Sequence, residues 1–403
     1  MKRITTVRTS VTAFSFLFTV TAVALAAQNS TIITKTSSSS SGSSSANTSS
    51  TKTSRVRKTA HHRARNVRRF VSKPKGSSFG DPTAGDDTSG EDLIVRQAAV
   101  DALGNLMGSM VAVDPTTGRI LTVVNQKMAF ESGYQPCSTF KPAVALAALE
   151  EGVITNDSTR LRLGKSWYLD LKESLARSNN MYFAKLGTML GLNKMREYAE
   201  EFGFASPAVW GVEKEAHGSF PTQPPPESMG GVGKVASFGE GISQTLFQLV
   251  SFVSAVSNGG TLYYLQYPRT PEEMENFQPR VKRQLNIEQW LTPVREGMMD
   301  AVLFGTARRA KQPDMPVLGK TGTCSQDGMK LGWFAGYAQR DGGLAVAVLQ
   351  RTSQPMGGGP HAAEIAGRFF RTLANEKYFI RHEQEQPKPA MPTVPAASIQ
   401  LFQ

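Results

Sequence analysis

Tyr134-Gln135-Pro136-Cys137-Ser138-Thr139-Phe140-Lys141-Pro142 is the stretch on which the reading of this chain turns. A lysine three residues after a serine on a helix lies on the same face, within reach of its hydroxyl. Before this stretch, Leu93, Ile94, Val95, Ala98, Val100, Leu103 and Leu106 space out as one apolar helical face. Ser109 to Val113 and Arg119 to Val124 are β-rich runs on either side of Asp114-Pro115-Thr116-Thr117-Gly118, which has hairpin-turn chemistry. After it, helical periodicity with glycine breaks runs from about Pro142 to Leu303, and strand-like runs return at 316–323, 331–337 and 344–349. The last helix is expected over 362–373. Strands at both ends with helices between predict an α+β domain over residues 92–378, its terminal segments closing one antiparallel sheet.

Three short motifs occur in order within that domain: Ser138-Thr139-Phe140-Lys141, Ser178-Asn179-Asn180 and Lys320-Thr321-Gly322. Ser-x-x-Lys alone means little, since it recurs at Ser49–Lys52 and Ser72–Lys75 in segments that cannot form a site. Their order inside one domain gives them meaning. A serine hydroxyl becomes a good nucleophile only when a base takes its proton, and Lys141 is placed to be that base. An ordinary lysine, with pKa about 10.4, is protonated at neutral pH, so the site has to lower its basicity by burial or by a nearby cation such as Lys320. The expectation is a Ser138 Oγ within hydrogen-bond range of Lys141 Nζ and Ser178 Oγ. The backbone N–H groups of Ser138 and Thr323 are the candidate oxyanion donors.

These motifs match the set found in penicillin-binding proteins and serine β-lactamases. The segment around Ser138 resembles the penicillin-binding nucleophile segment. Gly239-Glu240-Gly241-Ile242-Ser243, Ser257-Asn258-Gly259-Gly260, Gly305-Thr306-Ala307 and Trp333-Phe334-Ala335-Gly336 look like its later landmarks. The resemblance implies a transpeptidase / β-lactamase-like fold: an antiparallel sheet flanked by helices, an all-helical lobe, and the serine between them. It implies a D-alanyl-D-alanine stem-peptide substrate, β-lactam antibiotics as covalent inhibitors, and no cofactor or metal. Within it, Ser178 relays a proton toward the leaving amine and Asn180 binds the substrate amide. Lys320 with Thr321, Gly322 and Thr323 forms the strand that holds the substrate carboxylate. Trp333 and Phe334 read as core residues. A Cys137–Cys324 disulfide is also expected, since each cysteine adjoins one oxyanion donor and a bridge joins the corresponding positions in some class A carbapenemases. The gap between Ser138 and Ser178 is short for the family and points to a trimmed helical lobe.

The net charge of +12 is unevenly distributed. Residues 1–75 hold 14 Lys and Arg with no Asp or Glu, and the remainder of the chain is close to neutral. Residues 1–27 read as a signal peptide or signal anchor: a basic start, an apolar Val11 to Leu25, and a small-residue cleavage site at Ala24-Leu25-Ala26. Residues 28–91 are expected to be a disordered linker and 379–403 a loose, proline-containing tail. Residues 54–70, with seven Arg and Lys, suit an anionic membrane or wall polymer, or are a solvated linker. Specific nucleic-acid recognition is disfavoured, because the segment is expected to be exported, has one aromatic residue, Phe70, and belongs to no recognisable binding fold. The expected location is outside the cytoplasm, in the periplasm or cell envelope.

Two other functions use the same nucleophile. A β-lactamase needs a second base to release the acyl group. Glu213 and Glu215 lie at a comparable offset to that base in class A enzymes, in unlike sequence, while class D enzymes usually have an apolar residue where this chain has Asn180. A penicillin sensor or scaffold would acylate without turnover. Cross-linking and carboxypeptidase trimming differ only in whether an amine or water accepts the acyl group, which the motifs do not distinguish.

Overall fold

The structure, a computed structural model, describes residues 77–155, 159–340, 343–353, 355 and 357–380. The expected signal segment, the basic 54–70 stretch and the tail from 381 lie outside them. Helix α1 (Leu93–Leu103) is capped by Asp92, whose side chain accepts from the N–H groups of Ile94 and Val95. Strands β1 (Gly108–Val113) and β2 (Ile120–Val124) form the expected hairpin, its turn closed by Asp114 accepting from Thr116 N–H at 2.8 Å. Helix α2 (Gln126–Glu131) follows, then a 3-10 turn (Cys137–Phe140) that runs directly into α3 (Lys141–Glu150).

The middle of the chain is mainly helical: α4 (Leu171–Ala176), α5 (Asn180–Leu190), α6 (Leu192–Glu201), α7 (Gly231–Phe238), α8 (Leu246–Asn258), a short α9 (Pro271–Glu275) and α10 (Leu291–Leu303). Two small antiparallel ribbons interrupt it where only helices were expected. One pairs β3 (Leu161–Arg162) with β4 (Tyr168–Leu169), and the other pairs β5 (Thr261–Tyr264) with β6 (Arg280–Gln284). Among the described residues between the Ser138 turn and the Ser178 turn, the elements are α3, the β3–β4 ribbon and α4. The last elements of the described residues are β7 (Val317–Gln326), β8 (Met329–Ala338), β9 (Ala345–Thr352) and α11 (Gly359–Asn375).

The main sheet has the order β2-β1-β9-β8-β7, antiparallel throughout. The terminal segments thus meet in its middle, where Val111 pairs with Ala347, and the strand bearing Lys320 is an edge. Alternation sorts the side chains between two cores. Met110, Ala112, Val346, Val348 and Phe334 pack against α1 and α11, while Val111, Val113, Ala347, Leu349 and Trp333 pack toward α8 and the helical region. With both faces covered, strands such as Ala345-Val346-Ala347-Val348-Leu349 read as continuous apolar runs rather than alternating ones.

Residues 77–91, expected as linker, are part of this domain. Asp86 accepts from the N–H groups of Asn125 (3.0 Å) and Gln126 (2.8 Å) and pairs with Arg96 at 2.8 Å. Glu91 accepts from Val123 N–H at 2.9 Å and Thr122 Oγ1 at 2.7 Å, and also from the Tyr267 hydroxyl. Asp86 and Glu91 are therefore the missing partners of β2 and α1 rather than solvated linker charge. At the other end Tyr378 and Phe379 are buried, so the domain reaches past the boundary expected at 378.

Candidate active site

The helix α4 ends in a turn that sets the second motif. Ser178 N–H donates to Leu175 O at 3.2 Å and Asn179 N–H to Ser174 O at 2.8 Å, the two bonds of a Schellman ending. The position between them calls for a left-handed residue, normally glycine, and here it is Ser178, with φ of 54°. A side chain held there costs about 1–2 kcal/mol, and that cost places the hydroxyl. Asn179 caps α5 by accepting from Tyr182 N–H at 2.9 Å. Of the two asparagines, only Asn180 is then left to face the first motif.

Lys141 begins α3 and is fully buried. Its Nζ donates to Ser178 O at 2.7 Å, Ser178 Oγ at 3.0 Å and Asn180 Oδ1 at 2.7 Å. The Phe183 ring lies 5.3 Å from it. Burial, and then the charge of Lys320, hold its pKa well below the ordinary lysine range. Two of its three partners can only accept, whereas the Ser178 hydroxyl can also donate. A neutral amine therefore fits this cage without losing a bond.

Ser138, in the 3-10 turn one helical turn before α3 proper, retains 9% exposure at the cleft. Among the described residues no hydrogen bond joins its Oγ to Lys141 or Ser178, where the sequence led to the expectation of both within hydrogen-bond range. The three hydrogen-bonding positions of Lys141 Nζ are already taken by the second motif. Lys320 is buried on β7, donates to Thr321 O at 3.0 Å, and burial pulls its pKa down to about 7. Thr321 differs from its expected role of holding a carboxylate: it is 4% exposed and its hydroxyl donates to Thr306 Oγ1 at 2.7 Å. Thr323 is the exposed one, and its Oγ1 accepts from Gly359 N–H at 2.7 Å, which leaves its own proton for the cleft.

Gly322 allows β7 to approach the nucleophile turn. A Cβ at this position would lie 2.8 Å from Pro136 O and 3.2 Å from Cys137 Cβ. Cys137 and Cys324 are joined by a disulfide, with Cα atoms 5.6 Å apart. Cys137 is also left-handed, with φ of 54°. Two further ties went unread in the sequence: Trp333 Nε1 donates to Gln135 O at 2.9 Å, and Gln135 N–H to Gln326 Oε1 at 3.0 Å. They join strands to a loop nearly two hundred residues away, and no local pattern announces such a pairing. Trp333 and Phe334 are fully buried in the core. Among the described residues no group of three or more His, Cys, Asp or Glu side chains is placed to hold a metal ion.

The model of the penicillin-binding protein transpeptidase domain matches residues 108–371. The chain belongs to this family. Among penicillin-binding relatives, it is 32% identical over 297 residues to stage V sporulation protein D of Bacillus subtilis (strain 168), a match covering 64% of this chain and 44% of that one. It is 24% identical over 388 residues to the peptidoglycan D,D-transpeptidase MrdA of Acinetobacter baumannii, covering 76% and 57%. The chain spans about half the length of the curated relatives it matches. The crystal structure of Pseudomonas aeruginosa PBP2 in complex with WCK 5153 shares the fold, with a TM-score of 0.61, 22% identity, and coverage of 74% and 78%. The D,D-transpeptidase domain of a peptidoglycan glycosyltransferase from Eggerthella lenta does so with a TM-score of 0.56, 22% identity, and coverage of 70% and 81%. The α+β fold is thus that of a penicillin-binding transpeptidase domain. Among the described residues no helix is long and apolar enough to cross a membrane.

Proposed function

We propose that this penicillin-binding protein is a serine-type D,D-transpeptidase that acts on peptidoglycan stem peptides and is acylated by β-lactams. Ser138 Oγ attacks the D-alanyl-D-alanine carbonyl, forming the acyl bond as the terminal D-alanine leaves. Lys141 takes the Ser138 proton, and Ser178 passes a proton to the departing amine. Asn180 binds the substrate amide through Nδ2, because its Oδ1 is occupied by Lys141. The N–H groups of Ser138 and Thr323 receive the oxyanion. Lys320 and Thr323 orient the substrate carboxylate, with Gly322 providing clearance. An amine acceptor then gives a cross-link, and water gives carboxypeptidase trimming.

The observation that carries this reading is the Lys141 amine nitrogen, buried and bonded to both Ser178 and Asn180, with Lys320 acting on it through space. That arrangement serves acylation and supplies no second base for hydrolysis. Glu213 is exposed. Glu215 is buried, and its carboxylate accepts from Ala208 N–H at 2.9 Å and Val209 N–H at 2.8 Å, so it pins a turn. Rapid release of a β-lactam acyl group is not supported by either.

We further place the protein in the cell envelope, delivered by residues 1–27 and held near an anionic membrane or wall polymer by residues 54–70. Incubation with a fluorescent penicillin, followed over time, tests the catalytic reading. The expected result is a long-lived adduct on the Ser138 peptide that is absent from Ser138→Ala. Labelling of that variant, or fast adduct loss with antibiotic hydrolysis, overturns it.

A further inference from the structure

Gly305 and Thr306, in the turn after α10, touch the elements on both sides of Lys141. Gly305 lies against the end of α4: a Cβ there would sit 2.1 Å from the Ala176 carbonyl oxygen. Thr306 N–H donates to that same oxygen at 3.1 Å. Ala176 is the last residue of α4 and lies within the Schellman turn, Ser174 to Asn179, that sets Ser178. On the other side, Thr306 Oγ1 accepts the Thr321 hydroxyl at 2.7 Å, and Thr321 O accepts from Lys320 Nζ at 3.0 Å. One residue thereby joins the Ser178 turn, by its main chain, to the Lys320 strand, by its side chain. The strand needs such a tie, because β7 is the sheet edge and is bonded to β8 on one side alone.

We propose that Thr306 is a positioning residue for acylation: its hydroxyl and amide together set the separation between the strand bearing Lys320 and the turn bearing Ser178. This rests on the reading of Ser138 as the acylated nucleophile. Thr306 holds Thr321 in one rotamer, and the Thr321 carbonyl holds the Lys320 amine. Removing the hydroxyl leaves the Ala176 bond and the fold in place while freeing the strand edge to shift relative to the turn. A misplacement on the scale of an ångström at a reacting centre lowers rates on the order of 100-fold.

The test is the second-order rate of acylation by a fluorescent penicillin, measured on the full chain and its variants. Thr306→Val keeps the shape and loses the hydroxyl; Thr306→Ser keeps the hydroxyl and loses the methyl. A packing role predicts that Val substitutes well and Ser poorly, and a positioning role through the hydroxyl predicts the reverse. Expected are a fall of about 10- to 100-fold for Thr306→Val and at most about threefold for Thr306→Ser. Thr306→Val combined with Thr321→Val should be no slower than the slower single variant, because one bond is lost in each case. Denaturant midpoints verify that each variant is folded. A wild-type rate in Thr306→Val, or a Ser variant as slow as the Val variant, overturns the proposal. Absence of any Ser138 adduct in the wild type instead overturns the functional reading, and this inference with it.

Discussion

Asn180 Oδ1 and Lys141 Nζ lie 2.7 Å apart, so the third residue of the second motif holds the base as well as facing the cleft. An amide oxygen there tolerates both protonation states of the amine. A carboxylate would not. Asn180→Asp places a negative charge beside Lys141, which favours the ammonium by about 1–3 pKa units. The variant is expected to acylate about 10- to 1,000-fold more slowly at pH 7, with the deficit shrinking as pH rises. A pH series of penicillin acylation rates decides this; equal deficits at every pH would mean that the amide matters only for substrate binding.

Lys320 links activity to stability with a definite sign. Burial lowers its pKa from the ordinary lysine value of 10.5 to about 7, so the folded state holds fewer protons than the unfolded state between those two values. Stability from this group is therefore greatest above the unfolded value and is lost as pH falls through about 7. Lys320→Met should be more stable than wild type near pH 6.5, with an advantage that narrows toward pH 10, and should acylate poorly at both. Denaturant midpoints at the two pH values measure it. A constant difference would show that the lysine is not desolvated.

The Cys137–Cys324 bridge spans 187 residues of sequence. By the chain-entropy estimate a loop of that size stabilises by about 5 kcal/mol. Titration of the unfolded, unreduced protein should find no free thiol. The Cys137→Ala, Cys324→Ala double variant should unfold at lower denaturant and acylate more slowly, because the turn bearing Ser138 loses its covalent tie to the strand bearing Thr323. An unchanged acylation rate with a lowered midpoint would limit the bridge to stability.

Arg96 depends on residues ahead of α1. Its side chain pairs with Asp86 at 2.8 Å and Glu91 at 3.3 Å, and it is 9% exposed. A fragment beginning at residue 92 would leave that guanidinium buried without its carboxylates, a loss of roughly 3–5 kcal/mol. A fragment of residues 77–380 should keep wild-type stability and penicillin binding, and 92–380 should not. Limited proteolysis followed by denaturant unfolding compares them.

The parts legible in the sequence were those written locally. Ser138, Lys141, Ser178 and Lys320 carry their spacing and order with them, and the apolar runs near 109–124 and 331–349 announced a shared sheet. Asp86 and Glu91 were misread because a paired, buried carboxylate and a solvated one look alike in a Gly- and Asp-rich stretch. The β3–β4 and β5–β6 ribbons escaped notice because two to five residues are too few to establish a period of two. Gly305-Thr306-Ala307 stood out as a landmark, yet its contact with Ala176 and Thr321 is a matter of three-dimensional closure. The same holds for Lys141, whose partners were expected at Ser138 and found at Ser178 and Asn180.

Strand β9 lies between β1 and β8 although it is the last strand among the described residues. A chain emerging N-terminus first therefore makes the β1–β2 hairpin early and carries it with one apolar edge open until residues 345–352 arrive. Pairings such as Ser109 with Leu349 join residues far apart in sequence, and such non-local pairing slows folding. The waiting edge is a site for pairing with other chains. A product stopped short of Ala345 retains Ser138, Lys141, Ser178 and Lys320 and has no central strand on which to assemble them.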